Sequence, residues 1–192
     1  MQGYNFTERV RKVLAQARDE AVALGHSYVG CEHILLGLLD DDGVASVVLQ
    51  NLGLDLSHAT TVLKQALKPG DVAARANTRD LPYTSRSKRV IELSMSEARE
   101  LQHSYVGTEH LLLGILREGK GIAVEILLSF GITLEKARAE TLRILGVDIA
   151  TLTPPTGEKP NLIHVSLRYS NGAVVTANFM DTADAARFLT SR

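Results

Sequence analysis

The chain has 192 residues, of which 45% are hydrophobic and 22% charged, with 21 basic side chains against 22 acidic ones and a formal net charge of -1. That length and apolar content suffice to bury a core and argue against disorder, while the charge balance gives no electrostatic pull toward nucleic acid. A single cysteine, Cys31, excludes an internal disulfide and fits a reducing compartment.

In chain order, the start is polar and lacks the apolar stretch of a secretory signal, and no apolar run reaches the ~18 residues of a membrane span. The expectation is a soluble, cytoplasmic protein with no membrane association. Thr7 stands where an N-cap belongs, before Val10, Val13, Leu14, Ala17 and Ala21, and this spacing predicts a helix ending near Gly25. A second short helix follows Gly30 and carries Ile34, Leu35 and Leu38. A third covers Val44 to Leu52 and stops at Gly53, and a fourth begins near Ser57. The segment Lys68 to Pro82, with Pro69-Gly70, reads as a linker.

The same pattern then begins again. Residues 27–39 reappear as residues 104–116, with ten of thirteen positions identical and an offset of 77. Thr84 repeats Thr7, His103 repeats His26, and Gly107-Thr108-Glu109-His110 repeats Gly30-Cys31-Glu32-His33. One extra residue near Lys120 moves later matches to an offset of 78, pairing Gly53 with Gly131. Four helices per repeat give eight, and each repeat is expected to cover its twin's apolar face about a pseudo-two-fold axis. After Gly146 a proline-rich linker leads to two alternating runs, Leu162 to Tyr169 and Ala173 to Phe179, joined by Ser170-Asn171-Gly172. These predict a β-hairpin, and Asp181 caps a short closing helix.

Patterns of catalysis fail on inspection. Gly114-x4-Gly119-Lys120 imitates a phosphate-binding loop, but Gly121 stands where a Ser or Thr must hold magnesium. His26, His33, His103 and His110 have no metal-ligand spacing around them and read as structural hydrogen-bonders. Cys31 has no partner and reads as structural too. No enzyme, cofactor or metal is expected. What remains is Thr7 and Thr84 at helix N-termini, which favour anions and have arginines nearby, and Glu32 and Glu109 opening the second helices, where a carboxylate can grip a guanidinium. Spacing alone reads all four as capping residues.

The runs Phe6-Thr7-Glu8-Arg9, Gly30 to Leu38, Tyr83-Thr84, Val90 to Ser94 and Gly107 to Gly114 resemble the Clp N-domain, nearest to its ClpC branch, over about residues 4 to 147. The resemblance implies a mainly α fold, an eight-helix double Clp repeat with pseudo-two-fold symmetry. Repeat one is expected at 4–70 and repeat two at 81–147 within a domain of 1–147, followed by a linker at 148–161 and a β-hairpin plus short helix at 162–192. It also implies a non-catalytic role in recognising substrates or adaptors for ATP-dependent proteolysis, with client proteins and Clp unfoldase or peptidase subunits as partners. In the ClpC branch the domain binds phosphoarginine at two equivalent sites, which carry over as Glu32 with Thr7 and Glu109 with Thr84. Cys31 replaces the motif threonine in repeat one, so the second site is the firmer expectation. No AAA+ module follows Gly146 in this sequence, which suggests an accessory of the Clp system. Two alternatives stand beside this. One is an assembly factor that dimerises or docks on a Clp ring through its tail. The other is a small-molecule-sequestering resistance protein, with Phe6 and Tyr83 lining an apolar groove rather than serving as hydrophobic staples.

Overall fold

In a computed structural model, residues 5–70, 81–146, 163–168 and 174–179 are described, and the chain divides into two units, Met1–Leu145 and Gly146–Arg192. The first unit begins with a two-residue strand β1 (Asn5–Phe6) and helices α1 (Glu8–Ala23), α2 (Cys31–Asp40), α3 (Val44–Asn51) and α4 (Leu56–Ala66). It continues with α5 (Ser85–Glu100), β2 (Tyr105–Val106), α6 (Thr108–Glu118), α7 (Ile122–Ser129) and α8 (Leu134–Leu145). The expected four-helix unit is therefore present twice.

Local chemistry sets the helix ends. Thr7 Oγ1 accepts from the Val10 N–H at 3.3 Å and opens α1, and Thr84 Oγ1 accepts from the Ser87 N–H at 3.1 Å and opens α5. Helices α3 and α7 stop where Gly53 and Gly131 turn to positive φ, +89° and +75°, a conformation that costs glycine nothing.

The core lies where the repeats meet. In α2, Ile34, Leu35, Leu36, Leu38 and Leu39 are all buried, and in α6 every residue from Thr108 to Leu116 is buried. A helix that is apolar all round must be covered all round. Accordingly α6 packs on α1, α2 and α3 of the other repeat, while α2 packs on α5, α6 and α7; α3 with α8 and α4 with α7 complete the seam. Within each repeat the first two helices approach closely at a glycine. A Cβ on Gly37 would stand 2.6 Å from the Val13 carbonyl oxygen, and one on Gly114 would stand 2.6 Å from that of Val90. In repeat two, buried Glu97 of α5 accepts from Arg117 of α6 at 2.9 Å and from Arg138 of α8 at 2.6 Å, tying three helices together.

The short strands were not foreseen from sequence, and they cross between repeats. Strand β1 pairs in parallel with β2, with Phe6 opposite Val106, and the symmetry-related bridge joins Tyr83 to Val29. Thr7 N–H donates to the Val106 carbonyl at 3.0 Å and Thr84 N–H to the Val29 carbonyl at 3.1 Å. Phe6 and Tyr83 thus lie in these crossed pairings, and the Tyr83 ring has the Arg18 guanidinium carbon 5.4 Å from its centroid.

In the second unit, β3 (Ile163–Arg168) and β4 (Val174–Phe179) pair antiparallel, in register from Ile163 opposite Phe179 to Arg168 opposite Val174. The predicted turn at Ser170-Asn171-Gly172, the helix expected after Asp181 and the proline-rich linker lie outside the described residues. Among the described residues no helix is long and apolar enough to cross a membrane.

Candidate functional site: two cavities shared between the repeats

The crossed strands decide which residues meet. Because the entry to α1 is bonded to the strand preceding α6, Thr7 and Arg9 face Gly107, Thr108 and Glu109 around a cavity of about 370 Å3. The entry to α5 is bonded beside α2, so Thr84, Ser85 and Arg86 face Cys31 and Glu32 around a cavity of about 480 Å3. Both volumes suit a ligand of amino-acid size. The expected partnership was of Glu32 with Thr7 and Glu109 with Thr84, whereas the cavities bring together Glu32 with Thr84 and Glu109 with Thr7. Each carboxylate shares its cavity with the threonine of the opposite repeat, because β1 and Tyr83 hydrogen-bond across the seam rather than within their own repeat. Phe6 and Tyr83 line neither cavity.

The two carboxylates are held alike. Gly30 and Gly107 are the N-caps of α2 and α6, in extended backbone that any residue adopts. A Cβ on either would collide with the carboxylate of Glu32 or Glu109, which folds back over the glycine. The side chain of Glu109 is 3% exposed and that of Glu32 is 19% exposed. Among the described residues no lysine or arginine lies within ion-pair distance of either. Burial pushes the Glu109 carboxyl above its ordinary range.

Behind each carboxylate runs a chain of imidazoles whose proton positions are fixed by its ends. The Gly30 N–H can only donate, so His33 Nδ1 accepts at 2.8 Å and His33 carries its proton on Nε2. That proton goes to His26 Nδ1 at 2.7 Å, and His26 Nε2–H donates to the Lys68 carbonyl at 2.8 Å. In repeat two, Gly107 N–H donates to His110 Nδ1 at 2.9 Å and His110 Nε2–H to His103 Nδ1 at 2.9 Å. Burial lowers the pKa of His33 to about 4 and of His110 to about 3, so both are neutral at physiological pH. The 3.3 Å approach of His110 to Glu109 is consequently not an ion pair. His103, Glu109 and His110 bring ligand atoms within 4.8 Å of one another, the arrangement of a metal centre. Both ring nitrogens of His110 are already engaged, however, so the cluster is satisfied without an ion.

Tyr28 and Tyr105 line the rims, 41% and 36% exposed. Each ring lies parallel to an imidazole of the chain, Tyr28 on His26 at 5.5 Å and Tyr105 on His103 at 5.1 Å between centroids. Sequence inspection missed both tyrosines, although their recurrence at the 77-residue offset was the available signal. Cys31 is buried against Ser87 Oγ at 3.8 Å, and burial pushes its thiol up to about 11, which leaves it protonated and a poor nucleophile. Thr84 spends its own proton internally. Ser87 O–H donates to the Val29 carbonyl at 2.8 Å, so Thr84 O–H donates to Ser87 Oγ at 2.8 Å. The donors left toward the cavity at the start of α5 are the backbone N–H groups of Ser85 and Arg86, which have no intrahelical acceptor.

Fold and site together define a duplicated all-helical domain with paired cavities shared across its seam. The chain matches the Clp repeat (R) N-terminal domain over residues 5–130 and 83–147 and belongs to that family. It is 49% identical over 142 residues to the chaperone protein ClpB of Oceanobacillus iheyensis and 49% identical over 142 residues to the negative regulator of genetic competence ClpC/MecB of Bacillus subtilis. Each match takes in 73% of this chain but 17% of the relative, so the chain spans under a fifth of their length. Among solved structures, the N-terminal domain of the chaperone ClpD of Arabidopsis thaliana superposes with a TM-score of 0.59 at 25% identity, over 74% of this chain and 95% of that one. The N-domain of ClpV from Vibrio cholerae has the same fold, with a TM-score of 0.61 at 18% identity over 77% of this chain and 89% of that one.

Proposed function

We propose that this chain is a non-catalytic docking module of the Clp protease system that recognises client or adaptor proteins through its inter-repeat cavities. The ligand group we assign to this recognition is a phosphorylated arginine side chain. The observation that carries the reading is a pair of carboxylates, Glu109 buried and Glu32 partly so, with no cationic partner among the described residues. An uncompensated buried carboxylate is costly, and an arriving guanidinium relieves that cost through two parallel charge-assisted hydrogen bonds. Across each cavity, the N-terminus of the other repeat's first helix offers backbone N–H groups to an anion. The faces of Tyr28 and Tyr105 suit a planar cation.

Isothermal titration of the full chain with free phosphoarginine tests this. Binding is expected, and the Glu32→Ala/Glu109→Ala double variant should lose it, since each such contact contributes roughly 1.5–3 kcal/mol. Unchanged heats in the double variant would remove the site.

An assembly role has one observation in its favour. Among the described residues the sheet formed by β3 and β4 has only two strands, and a lone hairpin is marginally stable until something covers its edges. Light scattering of the full chain against one truncated near residue 150 separates the two readings. A larger mass in the full chain alone favours the hairpin as a dimerisation element.

A further inference from the structure

The cavities are images of one another in shape but not in charge. The inner ion pair is common to both. Arg9 lies 3.4 Å from Asp41 at the Glu109 cavity, and Arg86 lies 4.0 Å from Glu118 at the Glu32 cavity. Outside that pair the repeats part. The loop entering α3 reads Asp41-Asp42-Gly43, whereas the loop entering α7 reads Glu118-Gly119-Lys120-Gly121, so repeat two carries one extra residue and a lysine where repeat one is acidic. Lys120 lines the Glu32 cavity, and its ammonium has no ion pair among the described residues. At the twin position Asp42 lines the Glu109 cavity and grips the Arg9 guanidinium. Arg9 in turn holds the Asp42 carboxyl below its ordinary range. The charged groups lining the Glu32 cavity are thus one carboxylate and two cations, and those lining the Glu109 cavity are two carboxylates and one cation already spent.

We infer that the two cavities are not equivalent, and that only the Glu32–Thr84 cavity accepts a phosphorylated guanidinium. A ligand of this kind brings a cation for the glutamate and about two negative charges for the opposite wall. In the Glu32 cavity the phosphoryl group meets Arg86, an unpaired Lys120 and the first N–H groups of α5. In the Glu109 cavity it meets a guanidinium neutralised by Asp42 and Asp41, and it must repel or displace a carboxylate to reach Arg9. With exposed Asp42 on its one cation, the Glu109 cavity lacks the charge complement that the Glu32 cavity keeps. The inference runs against the sequence expectation, which favoured Glu109 because Cys31 replaces a threonine. Cys31 faces Ser87, while the charge that matters enters from the following loop.

The inference rests on the ligand reading above, and one set of titrations separates the two. Wild-type chain titrated with free phosphoarginine is expected to bind one equivalent. Lys120→Glu should weaken that event roughly tenfold or more. Asp42→Lys, at a side chain exposed enough to change without disturbing the core, should raise the stoichiometry from one to two by freeing Arg9 and restoring the missing cation. Two equal sites in the wild type, or a stoichiometry still at one in Asp42→Lys, would overturn the inequivalence and leave the ligand reading standing. No binding in the wild type would overturn both.

Discussion

His33 and His110 are fully buried, and their folded pKa values of about 4 and about 3 lie well below the ~6.5 of an unfolded histidine. Between those values the unfolded chain binds more protons than the folded one. Stability from the imidazole chains is therefore complete above pH ~6.5 and is lost as the pH falls toward the folded values. By pH 5 each buried imidazole should have cost about 2 kcal/mol. Glu109, pushed upward by burial, acts with the opposite sign but is one group against two. Urea unfolding at pH 7.5 and pH 5.0 checks this, and equal midpoints would mean that the histidines are not held neutral. At this scale the sequence identifies residue types well and partners poorly. The repeat marks Thr7, Glu32, Thr84 and Glu109, and the histidines read correctly as hydrogen-bonders. Nothing in the spacing within one repeat reveals that Glu32 shares a cavity with Thr84, since that arrangement depends on how the twins are docked.

The eight helices are legible because local signals mark them: threonines capping α1 and α5, apolar positions at helical spacing, and glycines ending α3 and α7. The two-residue strands are not, since two residues have no period to detect, yet they determine which helix starts meet. Gly114 is another feature whose reason lies between elements. In an isolated helix, replacing it by alanine would gain up to about 1 kcal/mol. Here the new methyl would press on the Val90 carbonyl oxygen at 2.6 Å and the Ser94 nitrogen at 3.0 Å, both backbone atoms that cannot rotate away. Parting α5 from α6 should cost more than the propensity gain, with overpacking of this kind at about 1–3 kcal/mol. Gly114→Ala is accordingly expected to lower the thermal midpoint, and Gly37→Ala should do the same through Val13. A raised midpoint in either variant would show that the helix pairs have room to spare.

Each repeat contributes one wall to each cavity and part of the cover for its twin's central helix, so folding and recognition belong to the duplicated unit rather than to its halves. Helix α2 buries residues around its whole circumference, and α5, α6 and α7 of the second repeat supply part of that cover. Exposing even three leucine-sized side chains costs about 5 kcal/mol or more, which is comparable with the whole stability of a small domain. A fragment of residues 1–70 should therefore show no cooperative thermal transition by circular dichroism, whereas residues 1–147 should melt in one step. Ligand linkage follows from the same geometry. A molecule that holds Glu32 of one repeat and the α5 start of the other binds only the docked state, so phosphoarginine at 100 times its dissociation constant should stabilise the 1–147 fragment by about 2.7 kcal/mol. It should do nothing for either half alone. A first repeat that folds and binds by itself would mean that the seam is an accessory to the site rather than its foundation.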